Sequence, residues 1–468
     1  MEDIEVHAYD WQTSVDPETD YTTINCWALN KKSEPYLLRI HEFDVFCYLE
    51  LPLFINNSIV NWSGYREKLV YETICNILGE DKPYRYRYEL KEKIYFYKGK
   101  NRKYPMFLLC FRSIKSMNTC RNKLKHAFKV RGLKGGNDET MLSVRVWESQ
   151  IPLERKLLTL RNCKYSQWFN IKGVKVQGQD KISTLENEYV VDWKTLNPIP
   201  LEDTVAWITH PRILSFDLET YSDRHNAMPD SLCSKHVIYL CSVVFQKFLE
   251  PETKKKEIIL FGDCADTELA NVIKVKTEME LIDVLQNLII KYDPEIITGY
   301  NIFNYDNPYL DNRLKRRLKE WKPLGRLINV PSTMTTLSWS SSAYKNQDFN
   351  ILEMDGRISI DLLPLVRRDY KLPVYKLDYV AKYFLGKGKY DVTAKQMFEI
   401  YELQECLAEN YVPNVKIPKT FCQNYKRLNK IDIKDGNESV DLLEKIKADW
   451  ILEYKTFALN EMKKVAEF

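Results

Sequence analysis

No run of about 18 apolar residues occurs in this 468-residue chain, which excludes a membrane-spanning helix. The first residues are acidic and polar, without the basic-then-apolar layout of a secretory leader. Glycine is scarce at 15 residues, and neither an internal repeat nor a low-complexity tract is present, which excludes collagen-like and repeat architectures. None of the 11 cysteines forms a Cys-x-x-Cys pair, and their number is odd. That argues against a zinc site and a disulfide framework; the thiols read as reduced and mostly buried in an intracellular protein that is not secreted. What is present is ordinary globular material: 44% hydrophobic and 29% charged residues, with 30 tyrosines. At roughly 100–200 residues per domain, the length predicts two to four domains.

The net charge of +4 conceals an asymmetry. Residues 82–134 hold 17 Lys and Arg against only Glu89 and Glu92, a net of +15, so the rest of the chain carries −11. A basic block beside an acidic remainder suggests a polyanion contact in one place and a carboxylate-rich site in another. Lys98, Lys100, Arg102 and Lys103 are the candidate DNA contacts in this block; a solvated basic face is the alternative.

Alternating apolar residues at 43–51 predict a strand, followed by a helix over 64–78, strands over 84–97 and 104–112, a helix over 114–129 and a strand over 141–148. The order β-α-β-β-α-β is that of a ferredoxin-like subdomain, also used by RNA-recognition (RRM-like) modules. The aromatics of 104–111 would then either stack on nucleic acid or pack the sheet. Turn residues and polar runs over 171–205 place a domain boundary near 205, dividing the chain into 1–204 and 205–468. Beyond it, strands over 212–218, 237–246, 256–261, 295–298 and 357–361 alternate with helices over 277–291, 306–319, 361–370, 376–385 and 394–403. That is an α/β layout with a mixed sheet, interrupted by a hairpin at 333–339 and 349–354.

Three segments bear chemistry. In Arg212–Thr220 an apolar strand ends with Asp217 and Glu219 at i and i+2, on one face, while Phe216 and Leu218 point into the core. Two adjacent carboxylates repel, and a hard divalent cation such as Mg²⁺ or Mn²⁺ is their natural neutraliser. Solvent-facing acids at a strand end have the same pattern. The second segment, Thr298-Gly-Tyr300-Asn301-x-x-Asn-Tyr305-Asp306, runs from strand through a glycine turn to a helix start. Asp306 is there either as a first-turn acid favoured by the helix dipole or as a third carboxylate facing the other two. The third pairs Asp361, a cap or scaffold acid, with Tyr375-Lys376-Leu-x-x-Val-Ala-x-x-Phe-Leu-Gly386, chiefly a structural helix.

In order and spacing these three segments resemble family B DNA polymerases, and most of all the delta-type replicative enzymes of eukaryotes and large DNA viruses. Val146–Pro152 is similar to the family's segment leading toward the exonuclease. The resemblance implies an N-terminal domain followed by a ribonuclease-H-like α/β domain for 3′–5′ proofreading, as part of a DNA-directed DNA polymerase. Asp217, Glu219 and Asp306 would hold two Mg²⁺ or Mn²⁺ ions for hydrolysis of a mispaired primer end. Tyr300, Asn301 and Tyr305 would hold that single-stranded 3′ end of the primer-template. The setting implied is DNA replication in a nucleus or at a viral replication site, with a processivity factor as a further partner.

Two of the family's features are missing. Its third exonuclease motif, Tyr-x-x-x-Asp, does not occur after Tyr390; Tyr401 with Glu405 is the nearest imitation. The last residues, Val465-Ala-Glu-Phe468, resemble that motif's opening, with Phe468 in the tyrosine's place. No palm motif is found either. The expectation is a split gene, an intron- or intein-interrupted product, or a fragment. A second chain or C-terminal half would then supply palm, fingers and thumb. The rival reading is a DNA-binding piece that is inactive until such a chain completes it.

Overall fold

The computed structural model of the chain describes residues 1–408, except 17–18, 56, 63, 93–102, 134–135, 137, 225–226, 265–267, 342–344 and 389–392, together with residue 445. Two compact units divide it, Met1–Thr209 and His210–Phe468.

The first unit runs β1 (Glu2–Val15), β2 (Thr22–Leu29), β3 (Pro35–Ile40), β4 (Val45–Glu50), a short pair β5 (Phe54–Ile55) and β6 (Ser58–Ile59), then α1 (Gly64–Leu78). It continues through β7 (Arg85–Glu92), β8 (Lys103–Phe111), α2 (Ile114–Lys123), β9 (Phe128–Arg131), β10 (Glu139–Leu142) and β11 (Arg145–Trp147). It ends with α3 (Leu153–Leu160), β12 (Trp168–Lys175), β13 (Asn187–Pro198) and α4 (Leu201–Thr204). Strands β1, β12, β13, β3 and β2 close a barrel. A four-stranded sheet has the order β11-β4-β8-β7. Its Val45, Cys47, Leu49, Phe107, Leu109 and Phe111 share a core with Val70 and Ile74 of α1 and Met117 and Cys120 of α2. The aromatics Phe107 and Phe111 therefore pack the sheet against its helices, one of the two roles open to them from sequence.

Three sequence expectations change here. The helix expected over 114–129 ends at Lys123, and Phe128–Arg131 instead pairs with β10. Val130 is buried while Lys129 and Arg131 reach Glu139 across the ribbon, a period-two pattern that a helix could not satisfy. The strand expected over 141–148 is split, because β10 serves β9 while β11 serves β4. The polar stretch after 171 contains two barrel strands; its Lys and Asn residues occupy the outward positions of β12 and β13.

The second unit runs β14 (Arg212–Thr220), β15 (Ile238–Lys247), β16 (Glu250–Phe261), β17 (Asn271–Val275), α5 (Glu278–Tyr292), β18 (Ile296–Gly299) and α6 (Asp306–Arg316). The ribbon β19 (Thr333–Ser341) and β20 (Lys345–Glu353) follows, then β21 (Ile358–Asp361), α7 (Leu362–Asp369), α8 (Leu377–Leu385) and α9 (Ala394–Ala408). A mixed six-stranded sheet has the order β17-β16-β15-β14-β18-β21. Thr277 caps α5 by accepting the Glu280 N–H at 3.1 Å. Leu281, Ile282, Leu285 and Ile289 of that helix bury against Leu214, Phe216 and Leu218 of β14.

The starts of β14, β18 and β21 are tied by a buried ionic cluster. Arg212 reaches Asp293 (2.8 Å) and Glu295 (2.6 Å), Arg326 reaches Asp293 (2.9 Å) and Glu295 (2.6 Å), and Arg357 reaches Asp293 (2.7 Å). Glu295 also accepts the Arg212 backbone N–H at 2.6 Å. The cluster thus sets the relative position of the three parallel strands whose far ends carry the candidate site. Among the described residues no helix is long and apolar enough to cross a membrane, and the cysteines whose side chains are described are free thiols.

Candidate active site

Strand β14 alternates as its sequence requires: Leu214, Phe216 and Leu218 are buried in the core, while Asp217 and Glu219 are half-buried on the other face. Beyond Ser215, β14 has no pairing with β18, so its last residues lie beside the turn that leaves β18. That turn depends on Gly299, where a Cβ would meet the Phe216 carbonyl oxygen at 2.8 Å. Asn301 follows with φ +68°, a left-handed residue. Asp361 holds the turn from the neighbouring strand: its carboxylate accepts the Asn301 N–H (2.8 Å) and the Phe303 N–H (3.0 Å), and it caps α7 by accepting the Leu363 N–H (2.9 Å). Its scaffold role is complete, since both oxygens are engaged in fixing the backbone.

Asp306 begins α6 and is only 2% exposed. One of its oxygens accepts the Leu218 N–H at 3.1 Å, which brings α6 against the end of β14. Burial pushes its carboxyl well above the usual range, and the charges of Asp217 and Glu219 push it further. The three acids therefore share one electrostatic environment, and no basic side chain offsets Asp306 among the described residues. The same field extends outward. Burial raises the Tyr305 hydroxyl, with Asp306, Glu219 and Asp217 adding to it. The Cys241 thiol, wholly buried, is raised by burial and then by Asp306 and Asp217. Tyr305 shares a 2.5 Å hydrogen bond with the Thr220 hydroxyl, and Tyr300 donates to the Tyr375 carbonyl at 2.6 Å.

Of the residues singled out from sequence, Asp217, Glu219, Asp306, Tyr300, Asn301 and Tyr305 gather where β14 ends and the β18 turn begins. Lys103 lies exposed in the first unit, at the start of β8; Lys98, Lys100 and Arg102 lie outside the described residues, as does Phe468. Tyr401 is buried in an aromatic cluster with Tyr221, at 4.6 Å, and Tyr239, at 5.3 Å. Among the described residues no group of three His, Cys, Asp or Glu side chains is drawn in closely enough to hold an ion unaided. The donor chemistry nevertheless suits a hard divalent cation: carboxylate oxygens, with no basic side chain acting on Asp306 among the described residues. Sequence reasoning did not single out Tyr239, whose place near Glu219 depends on the register of β15.

Comparison with known proteins identifies the family. A family model described as DNA polymerase family B, exonuclease domain, matches residues 144–380. DNA polymerase 120R of Invertebrate iridescent virus 3 is 31% identical over 409 residues, covering 84% of this chain and 35% of that protein. The DNA polymerase delta catalytic subunit of Plasmodium falciparum is 28% identical over 435 residues, covering 90% of this chain and 37% of its own length. The chain thus spans about a third of the curated relatives it matches. The structure of the family B DNA polymerase from the archaeon Pyrobaculum calidifontis superimposes with a TM-score of 0.56 at 16% identity, over 85% of this chain and 42% of that one. The α/β fold of the second unit is the ribonuclease-H-like fold of such exonuclease domains. With that model covering half of its length, the chain belongs to DNA polymerase family B and contains the family's exonuclease domain.

Proposed function

We propose that this chain is the N-terminal and proofreading portion of a replicative DNA polymerase, hydrolysing a mispaired primer from its 3′ end. Residues 1–204 form the N-terminal domain and 205–468 the exonuclease domain. The sheet order β11-β4-β8-β7 with two intervening helices supports a ferredoxin-like (RRM-like) subdomain within the former. Palm, fingers and thumb come from a second chain or a C-terminal half, and a processivity factor joins at the intracellular site of replication, nuclear or viral.

The observation that carries the reading is the buried Asp306 carboxylate, placed beside Asp217 and Glu219 with no basic partner among the described residues. Burying a charge without a counter-ion is costly, and such an arrangement persists where a cation is to be bound. Asp217, Glu219 and Asp306 hold the two ions. When bound by these residues, Mg²⁺ or Mn²⁺ would lower the pKa of a bound water and offset charge on the scissile phosphate. The chain's own contribution is placement. Leu218 fixes Asp306 through its backbone amide, Asp361 fixes the turn bearing Asn301, and Thr220 orients Tyr305. Tyr300, Asn301 and Tyr305 receive the frayed 3′ nucleotide beside the acids.

The test is degradation of 3′-labelled single-stranded DNA in Mg²⁺ or Mn²⁺ by residues 1–468, alone and extended through the third exonuclease motif. The extended protein should be the faster, and Asp217→Ala should abolish its activity. Activity that survives Asp217→Ala would refute the assignment. Activity only in the extended protein would make the isolated chain a DNA-holding piece.

A further inference from the structure

Strand β15 is irregular beside the acids. Leu240 pairs with Glu219 and Ile238 with Thr220, so Tyr239 is an extra residue in the ladder. In a regular strand Tyr239 and Leu240 would face opposite sides of the sheet. Here both meet one cluster: Tyr239 lies within the group of Tyr221, Met397, Phe398 and Tyr401, and Leu240 packs against it. The bulge has therefore turned Tyr239 toward the face that Leu240 shares with its cross-strand partner Glu219.

The Tyr239 side chain is 3% exposed, and its hydroxyl has no hydrogen-bond partner among the described residues. A buried hydroxyl left unpaired costs free energy, and phenylalanine would fill the same volume without that cost. Glu219 lies close enough to act on this hydroxyl electrostatically. A phenol is a hydrogen-bond donor at neutral pH, and the Glu219 carboxylate is the charged acceptor in its surroundings.

We propose that Tyr239 is a positioning residue of the exonuclease site: its hydroxyl donates through one water to the Glu219 carboxylate and holds it oriented for a divalent cation. This rests on the reading of Glu219 as a metal-holding acid. Carboxylates that ligate metals are themselves oriented by outer hydrogen bonds, and loss of such a bond typically weakens metal affinity about 10- to 100-fold.

The experiment titrates Mn²⁺ calorimetrically into the full chain, into Tyr239→Phe and into Asp217→Ala, and records thermal unfolding of each in chelator. Tyr239→Phe should bind Mn²⁺ about 10- to 100-fold more weakly, with an unfolding midpoint in chelator equal to or above wild type. Wild-type Mn²⁺ affinity in Tyr239→Phe would overturn the inference, whatever its midpoint. If Tyr239→Phe also lowers the midpoint, the Glu219→Gln background decides. Residual Mn²⁺ binding there should be indifferent to Tyr or Phe at 239, and a further loss would overturn the positioning role. Wild type binding Mn²⁺ no better than Asp217→Ala would instead overturn the nuclease reading, and this inference with it.

Discussion

At a pH high enough to ionise its raised carboxyl, Asp306→Asn should stabilise the protein in chelator while removing its nuclease activity. Asp306 is 2% exposed and is repelled by Asp217 and Glu219. An uncompensated buried charge costs about 3–5 kcal/mol in mutational data. The hydrogen bond from the Leu218 amide offsets part of this, at about 1.5–3 kcal/mol for a charged acceptor. The introduced amide keeps its oxygen for Leu218, and the neighbouring carboxylates can accept from its new N–H groups. The net relief is about 1–2 kcal/mol, or roughly 2–8 °C in unfolding midpoint for a unit of this size. Calorimetry in EDTA measures that shift directly. Repeated in Mn²⁺, the order should reverse, because only wild type gains ligand-binding free energy. A lower midpoint for Asp306→Asn in EDTA would show that the carboxylate is already compensated and would refute the reasoning.

Two further outcomes follow from charge elsewhere. Burial raises both carboxyls, but Arg326, Arg357 and Arg212 outweigh it at Asp293, and Arg212 and Arg326 outweigh it at Glu295, so both lie below their usual range. Their folded pKa values are thus depressed, so their stabilisation is fully present above about pH 4 and is lost as pH falls through the folded values. Acid titration by circular dichroism should show cooperative loss of structure in that window, and Glu295→Gln should weaken the fold already at pH 7; a pH-independent midpoint between 3 and 7 would contradict this. For the basic block, charge reversal at Lys98, Lys100, Arg102 and Lys103 should weaken single-stranded DNA binding and flatten its salt dependence by about 0.7 per lost phosphate contact. An unchanged slope would make the block a solvated face.

The exonuclease unit was legible because its pattern is strong at every level. Alternation in Arg212–Thr220 placed Asp217 and Glu219 on one face, and the glycine-turn-acid order put Asp306 at a helix start, where the structure has them. The barrel of the first unit was illegible for a physical reason: it closes through pairings between segments far apart in the chain, β1 with β12 and β13 with β3, which local spacing does not encode. The end of α2 at Lys123 was likewise hidden, because the pairing of β9 with β10 overrides helical spacing through contacts that are not local. Tyr239 could not be found by periodicity, since its position depends on a bulge that shifts the register by one residue.

The most direct test is a crystal structure with Mn²⁺, read by anomalous scattering at the Mn edge. The account predicts density between the Asp217, Glu219 and Asp306 carboxylates, with Asp306 drawn toward it from its present bond to the Leu218 amide. Carboxylates that stay apart in saturating Mn²⁺, or ions bound only at acids elsewhere, would contradict it.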